Sequence, residues 1–123
     1  MRATRRALMT IIGLTAAGAR TGDRLSDQGH RLKRMLGRPE SARHIAAAYL
    51  SSVGMTDSRR AALDLNMPGV LAPMDRIAEV AASRAWLGSR IRADFAAGAV
   101  IDVDGWRLSR TEVGACLLVA DVT

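Results

Sequence analysis

Val100-Ile101-Asp102-Val103-Asp104-Gly105-Trp106-Arg107-Leu108-Ser109-Arg110-Thr111-Glu112 is the stretch that decides how this chain folds. Apolar and polar residues alternate on both sides of Asp104-Gly105, a pair that tolerates the positive φ angles of a tight two-residue hairpin turn. With a side-chain period of two, Ile101 and Val103 share one face and Val100 and Asp102 the other; Trp106 and Leu108 carry the alternation back. The period then changes at once. Ser109-Arg110-Thr111-Glu112 reads as a capping box, in which the serine hydroxyl accepts from the N–H three residues on and the glutamate carboxylate reaches back. A helix is therefore predicted from this cap to about Asp121, fed directly by a hairpin near 100–108.

Upstream, the spacing is helical throughout. Pro73 to Ala97 is the longest periodic segment, with Met74, Ile77, Val80 or Ala81, Leu87, Ile91 and Phe95 close to a 3.6-residue repeat. Asp75 and Glu79 sit at its start and Arg84, Arg90 and Arg92 in its later half, as the helix dipole favours, and Gly98 stops it. This segment is predicted to be one helix and the backbone of the domain. Pro39-Glu40-Ser41 opens an earlier helix with Ile45, Ala48, Tyr49 and Val53 on its apolar side and Gly54 at its end. Thr56-Asp57 offers a cap for a short helix through Leu63 and Leu65, stopped at Asn66-Met67-Pro68-Gly69. Arg20 to Arg38 is a basic stretch with Leu25, Leu32, Met35 and Leu36 on one weakly apolar face; it reads as a solvated helix or tether, or as a basic amphipathic helix for an anionic surface. The fold class is mainly α: a small helical domain, 39–123, with one short hairpin before the last helix.

Composition agrees. Tyr49, Trp86, Phe95 and Trp106 are the only aromatics, so the core must come from Ala, Leu, Ile, Val and Met, which suits close-packed helices. The single cysteine, Cys116, excludes an internal disulfide and a thiolate metal cage. Val113, Cys116, Leu117 and Ala120 fall on one helical stripe, so the thiol is expected to be buried and structural. Gly114 weakens that helix by about 1 kcal/mol relative to Ala, so close approach by another element is expected there.

The N-terminus carries an address. Arg5-Arg6 precedes an uncharged stretch of about 13 residues, too short to span a bilayer, that ends in the small-x-small triplet Ala17-Gly18-Ala19. Charge, apolar segment and small residues serve membrane approach, insertion and fit to a signal peptidase in turn. The arrangement resembles a bacterial twin-arginine signal, with Thr4 ahead of the pair and Leu8-Met9 where that family prefers bulky apolar residues; it departs at Thr10, where Lys is common. Residues 1–19 are thus read as an export signal and 20–38 as a basic helix or tether. The chain's 18 basic against 12 acidic side chains give +6. Arg2, Arg5 and Arg6 leave with the signal, and the rest is near +3.

The search for chemistry finds no catalytic constellation. Glu40 precedes His44 by one helical turn and Asp27 precedes His30 by three residues, each half a metal site and more simply a helix-surface pair. Asp102 and Asp104 read as turn and edge residues. Met35, Met55, Met67 and Met74 fit core or helix-end positions rather than a copper site. There is no Gly-x-Gly-x-x-Gly, phosphate loop, haem-attachment motif or serine nucleophile elbow, so no cofactor, metal or catalytic residue is assigned.

Ile91-x-x-Asp94-Phe95-x-x-Gly98, Val103-Asp104-Gly105-Trp106 and Leu108-Ser109-x-Thr111-Glu112 resemble a recurring C-terminal pattern of small exported bacterial proteins with twin-arginine-like signals. Pro39 to Arg43 and Tyr49-Leu50 are similar to their earlier helix. The resemblance implies export and small size and transfers no catalytic residue. Trp106 either caps the core near Phe95 or forms, with Arg107 and Arg110, a partner-binding end of the hairpin, since Trp and Arg dominate protein interfaces. The function so implied is that of a non-catalytic accessory subunit in the periplasm. The resemblance to a twin-arginine signal, whose route moves folded cargo, implies as its partner a cofactor-containing envelope enzyme such as an exported oxidoreductase. The alternatives are a free-standing periplasmic ligand-binding module, and a nucleic-acid or anionic-surface binder using Arg31, Lys33, Arg34, Arg38 and Arg43. The modest charge left after cleavage argues against nucleic acid. An uncleaved signal or the basic helix would bring the chain to a membrane.

Overall fold

Val113 to Val119 contains no polar side chain on any side, and a helix apolar all round must be enclosed all round. In the computed structural model, which describes residues 24–123, this run forms the middle of the last helix, and every residue in it is buried. The other elements are arranged around it. In chain order they are α1 over 24–36, α2 (Pro39–Val53), α3 (Ser58–Asp64), α4 (Met67–Val70), a 3-10 turn (Ala72–Arg76), α5 (Val80–Ala97), β1 (Val100–Val103), β2 (Trp106–Ser109) and α6 (Arg110–Asp121). The fold is mainly α, with one two-stranded antiparallel hairpin immediately before the final helix. No helix among the described residues is long and apolar enough to cross a membrane. The proposed export elements Arg5, Arg6, Ala17 and Ala19 lie outside the described residues.

The local signals are realised in detail. Asp104 and Gly105 take φ of 50° and 81°, the turn expected of this pair, and the strands register Val103 with Trp106 and Ile101 with Leu108. The Ser109 Oγ accepts from Glu112 N at 2.9 Å, and the Glu112 carboxylate accepts from Ser109 N at 2.9 Å. Gly54 closes α2 in the left-handed conformation, and the Asp57 carboxylate caps α3. The stop at Asn66 is followed by a further turn of helix, α4, which the sequence reading leaves as a break.

Two expectations are corrected. Pro73 to Ala97 is not one helix. The 3-10 turn ends at Arg76, Ile77 is extended, and α5 begins at Val80. Met74 is fully buried, and the Asp75 carboxylate accepts from the buried Gln28 amide at 3.2 Å and faces Arg24 at 3.7 Å. These contacts pull the segment onto α1, in a direction a continuous helix could not follow. Nor is α5 the backbone of the domain: only Ser83, Leu87 and Asp94 on it are buried, while Val80 and Phe95 are exposed. Its attachment is largely polar. Arg31 donates to the buried Ser83 hydroxyl at 2.6 Å, and Arg84 donates to the Met35 carbonyl at 2.9 and 3.2 Å, satisfying the C-terminal end of α1.

At its other end α5 serves α6. The Asp94 carboxylate, buried, accepts from Thr111 N at 2.8 Å, and Arg110 N donates to the Ala99 carbonyl at 3.0 Å. With the capping box, the N–H groups of Arg110, Thr111 and Glu112 are all bonded. An anion at a helix N-terminus is favoured by the dipole, and leaving a buried amide unpaired costs about 1–3 kcal/mol. An aspartate in the last turn of α5 opposes that helix's own dipole; it is there for its neighbour.

Residues 24–36 are no free tether. Leu25, Gln28, Leu32 and Met35 are buried, and Gly29 lies directly against the Leu118 carbonyl of α6. The glycine lets the two helix backbones approach closely. Gly114 plays the corresponding part on α6: the space a Cβ would take is filled by the Met67 side chain. That is the close approach its position implied.

Candidate functional site

The hairpin is flanked by α5 on β2 and by α2 on β1. Ile101, Val103, Trp106 and Leu108 share one face by register and alternation, and α2 lies beside it. Between them runs a groove of about 710 Å³ lined by His44, Ile45 and Ala48 of α2 and by Val103, Asp104, Trp106 and Leu108. Val103 closes the floor, buried; Ile45, Ala48 and Leu108 are half-buried walls; His44 and Asp104 are exposed polar groups. Trp106 is 72% exposed, the most exposed large hydrophobic residue among those described. That exposure does not fit the alternative in which it covers the core near Phe95.

Of the three residues predicted to form one partner-facing end, Trp106 and Arg107 lie on opposite faces of the hairpin. Arg107 binds Asp102 across the strand pair at 3.2 Å. Two exposed side chains hold this ion pair, which accounts for Asp102 as well and contributes less than about 1 kcal/mol. Arg110 opens α6 with an exposed side chain. Trp106 lines the groove together with His44, Ile45 and Ala48 of α2. Ile45 and Ala48 belong to the predicted apolar side of α2. Their spacing gives no sign that they face a groove while Ala42 and Ala46 face the core.

The remaining candidates stay apart. No hydrogen bond or ion pair joins Glu40 to His44 or Asp27 to His30, and among the described residues no three His, Cys, Asp or Glu side chains are grouped to hold a metal. A polar cleft beside His30 is organised by Arg59, which donates to Ser26 Oγ at 2.6 Å and to Asp121 at 3.3 Å, clamping α1, α3 and the end of α6 together.

Cys116 is buried, as its helical stripe predicts, although the helix is enclosed on all sides rather than along one stripe. Burial, and secondarily the Glu112 carboxylate, push its pKa up from 9.0 to about 11. The thiol is thus protonated near neutrality and a poor nucleophile. Because the folded value is raised, the associated stability is intact below about pH 9 and is lost as pH rises towards 11. Over that window the native protein is expected to lose about 2–3 kcal/mol more than Cys116→Ala, whose other titrations are shared. Urea denaturation of both proteins at pH 8, 9, 10 and 11 checks this, parallel curves being the contrary result.

Comparison with protein-family models, curated proteins and solved structures finds no match for this chain.

Proposed function

We propose that the protein is a non-catalytic subunit that binds another protein through the groove between α2 and the hairpin. The single observation carrying this reading is Trp106. A tryptophan left 72% exposed at the edge of an apolar groove costs solvation in the free protein and gains it back when covered. Tryptophan is also the residue type most enriched where interface energy concentrates. The twin-arginine-like signal supports an extracytoplasmic site of action and, with no cofactor motif in the chain, a folded partner as the reason for that route. An exported, cofactor-containing oxidoreductase is the partner class we favour.

Two experiments test the reading. In capture of the partner from periplasm, Trp106→Ala is expected to weaken binding roughly 30-fold, about 2 kcal/mol, while the melting temperature of the free protein stays within about a degree, as for an exposed side chain. Retained binding with a lowered melting temperature would remove the groove from the interface. Replacing Arg5 and Arg6 together by Lys is expected to leave an uncleaved precursor in the cytoplasm; unimpaired export of that variant contradicts the twin-arginine reading.

A second reading is favoured by the groove's size, which lies within the range of small-ligand sites of about 300–1,000 Å³. A free-standing ligand module would change its Trp106 fluorescence with an apolar small molecule and would bring no protein partner down.

A further inference from the structure

Most cations of the described residues are engaged: Arg24, Arg59, Arg60, Arg90 and Arg107 meet carboxylates, and Arg31, Arg84 and Arg92 meet hydroxyls or a carbonyl. The side chains without a hydrogen bond or ion pair among these residues are Lys33, Arg34, Arg38, Arg43, Arg76 and Arg110. The first four fall together where α1 turns into α2, and Glu40 is the one acidic residue between Lys33 and Arg43. Like charges gathered without counter-charges repel one another, and an anionic surface relieves that repulsion.

The same corner exposes a hydrophobic side chain. Leu36, the last helical residue of α1, is 42% exposed, and next to it Gly37, at φ 67°, faces open space. The platform beneath is firm: Leu32 and Met35 are buried, Gly37 N donates to the Lys33 carbonyl, and Arg84 holds the Met35 carbonyl from behind. An exposed apolar side chain flanked along the chain by these cations, on a rigid base, matches a surface that is anionic at its face and apolar just below it. Nucleic acid would match the cations alone, and Tyr49, the nearest aromatic along the chain, is half-buried and not displayed for base stacking.

We infer that the α1–α2 corner, Lys33 to Arg43, docks the protein on an anionic phospholipid surface, with Leu36 entering the headgroup region. This inference stands apart from the groove reading, since it uses different residues and a different partner.

The test is co-sedimentation of residues 20–123, freed of the export signal that would itself enter a bilayer, with vesicles of phosphatidylcholine alone and of phosphatidylcholine and phosphatidylglycerol in equal parts. Binding is expected on the anionic vesicles only, and to weaken as salt is raised. Each cation near such a surface contributes roughly fivefold, so Arg34→Gln with Arg38→Gln is expected to lower partitioning about 25-fold. Arg60→Gln with Arg76→Gln removes the same net charge elsewhere and is expected to change it less than about twofold. Leu36→Ser is expected to lower it roughly fivefold. All these side chains are exposed, so unchanged thermal melts should accompany every variant. Equal weakening by the two arginine pairs would overturn the inference, as would equal binding to both vesicles. So would a single-stranded RNA oligonucleotide bound as tightly as the anionic vesicles and indifferent to Leu36→Ser.

Discussion

Gly114→Ala is expected to destabilise the protein by about 2–3 kcal/mol, although alanine is the better helix former. On an exposed helix the change would stabilise by about 1 kcal/mol, so the sign itself is diagnostic. A Cβ at position 114 would fall on the Met67 side chain, with Sδ, Cγ and Cε all inside the space it needs. Methionine is flexible, but this one is fully buried and opens the one-turn helix α4, which packs on α3 and α6. The clash must therefore be relieved by moving α4, and overpacking of this kind costs about 1–3 kcal/mol. Met67→Ala alone leaves a cavity and is expected to cost about 2–5 kcal/mol. Adding Gly114→Ala to that background should be neutral or stabilising, because the new methyl enters vacated space. Urea midpoints of the two single variants and the double variant give the coupling. A Gly114→Ala protein as stable as its parent would show that Met67 has a second place to go.

Much of the fold was legible because it is local chemistry. Asp104-Gly105, the Ser109–Glu112 box, Gly54 and Asp57 each act on groups within a few residues, and each does what its type predicts. What the sequence concealed was which helix the others surround. The segment ending at Ala97 is the longer and more periodic, yet α5 keeps Val80 and Phe95 in solvent, whereas the short α6 is enclosed. The clue was present in the unbroken apolar run Val113 to Val119, which a search for one stripe reads as amphipathic. The break between Arg76 and Val80 was not readable locally, since Asp75 is bound by Gln28, 47 residues away.

The candidate site divides in the same way. Trp106 was legible as a residue with two fates, and alternation already placed Arg107 on the other strand face. The choice between burial and exposure depends on what faces the hairpin. That is α2, set at a distance that leaves a groove rather than a packed seam. Nothing in the period of Ile45 and Ala48 encodes this spacing. It follows from α2 packing on α6 through Ala42 and Ala46, small residues that bring the helix close to the core and leave its flank uncovered.

Gly29→Ala is expected to be at least as damaging as Gly114→Ala, about 3 kcal/mol, and to resist rescue. Its Cβ would lie 2.6 Å from the Leu118 carbonyl oxygen and 3.0 Å from Val122 Cγ1. A methionine side chain can be truncated, but a backbone carbonyl in the middle of the central helix cannot. Val122→Ala in the Gly29→Ala background is therefore expected to recover well under 1 kcal/mol. The strain has to be released by α1 moving outwards, which loosens Leu25, Leu32 and Met35 from the core. The movement should not stop there, because Arg31 holds Ser83 and Met35 holds Arg84, so the first turns of α5 depend on α1. Hydrogen exchange on Gly29→Ala is accordingly expected to accelerate over 24–36 and 80–87 together, while the amides of α6 keep most of their protection. Faster exchange confined to 24–36 would show that α5 is held by Leu87 and Asp94 alone, and that the two arginine contacts contribute little to its place in the fold.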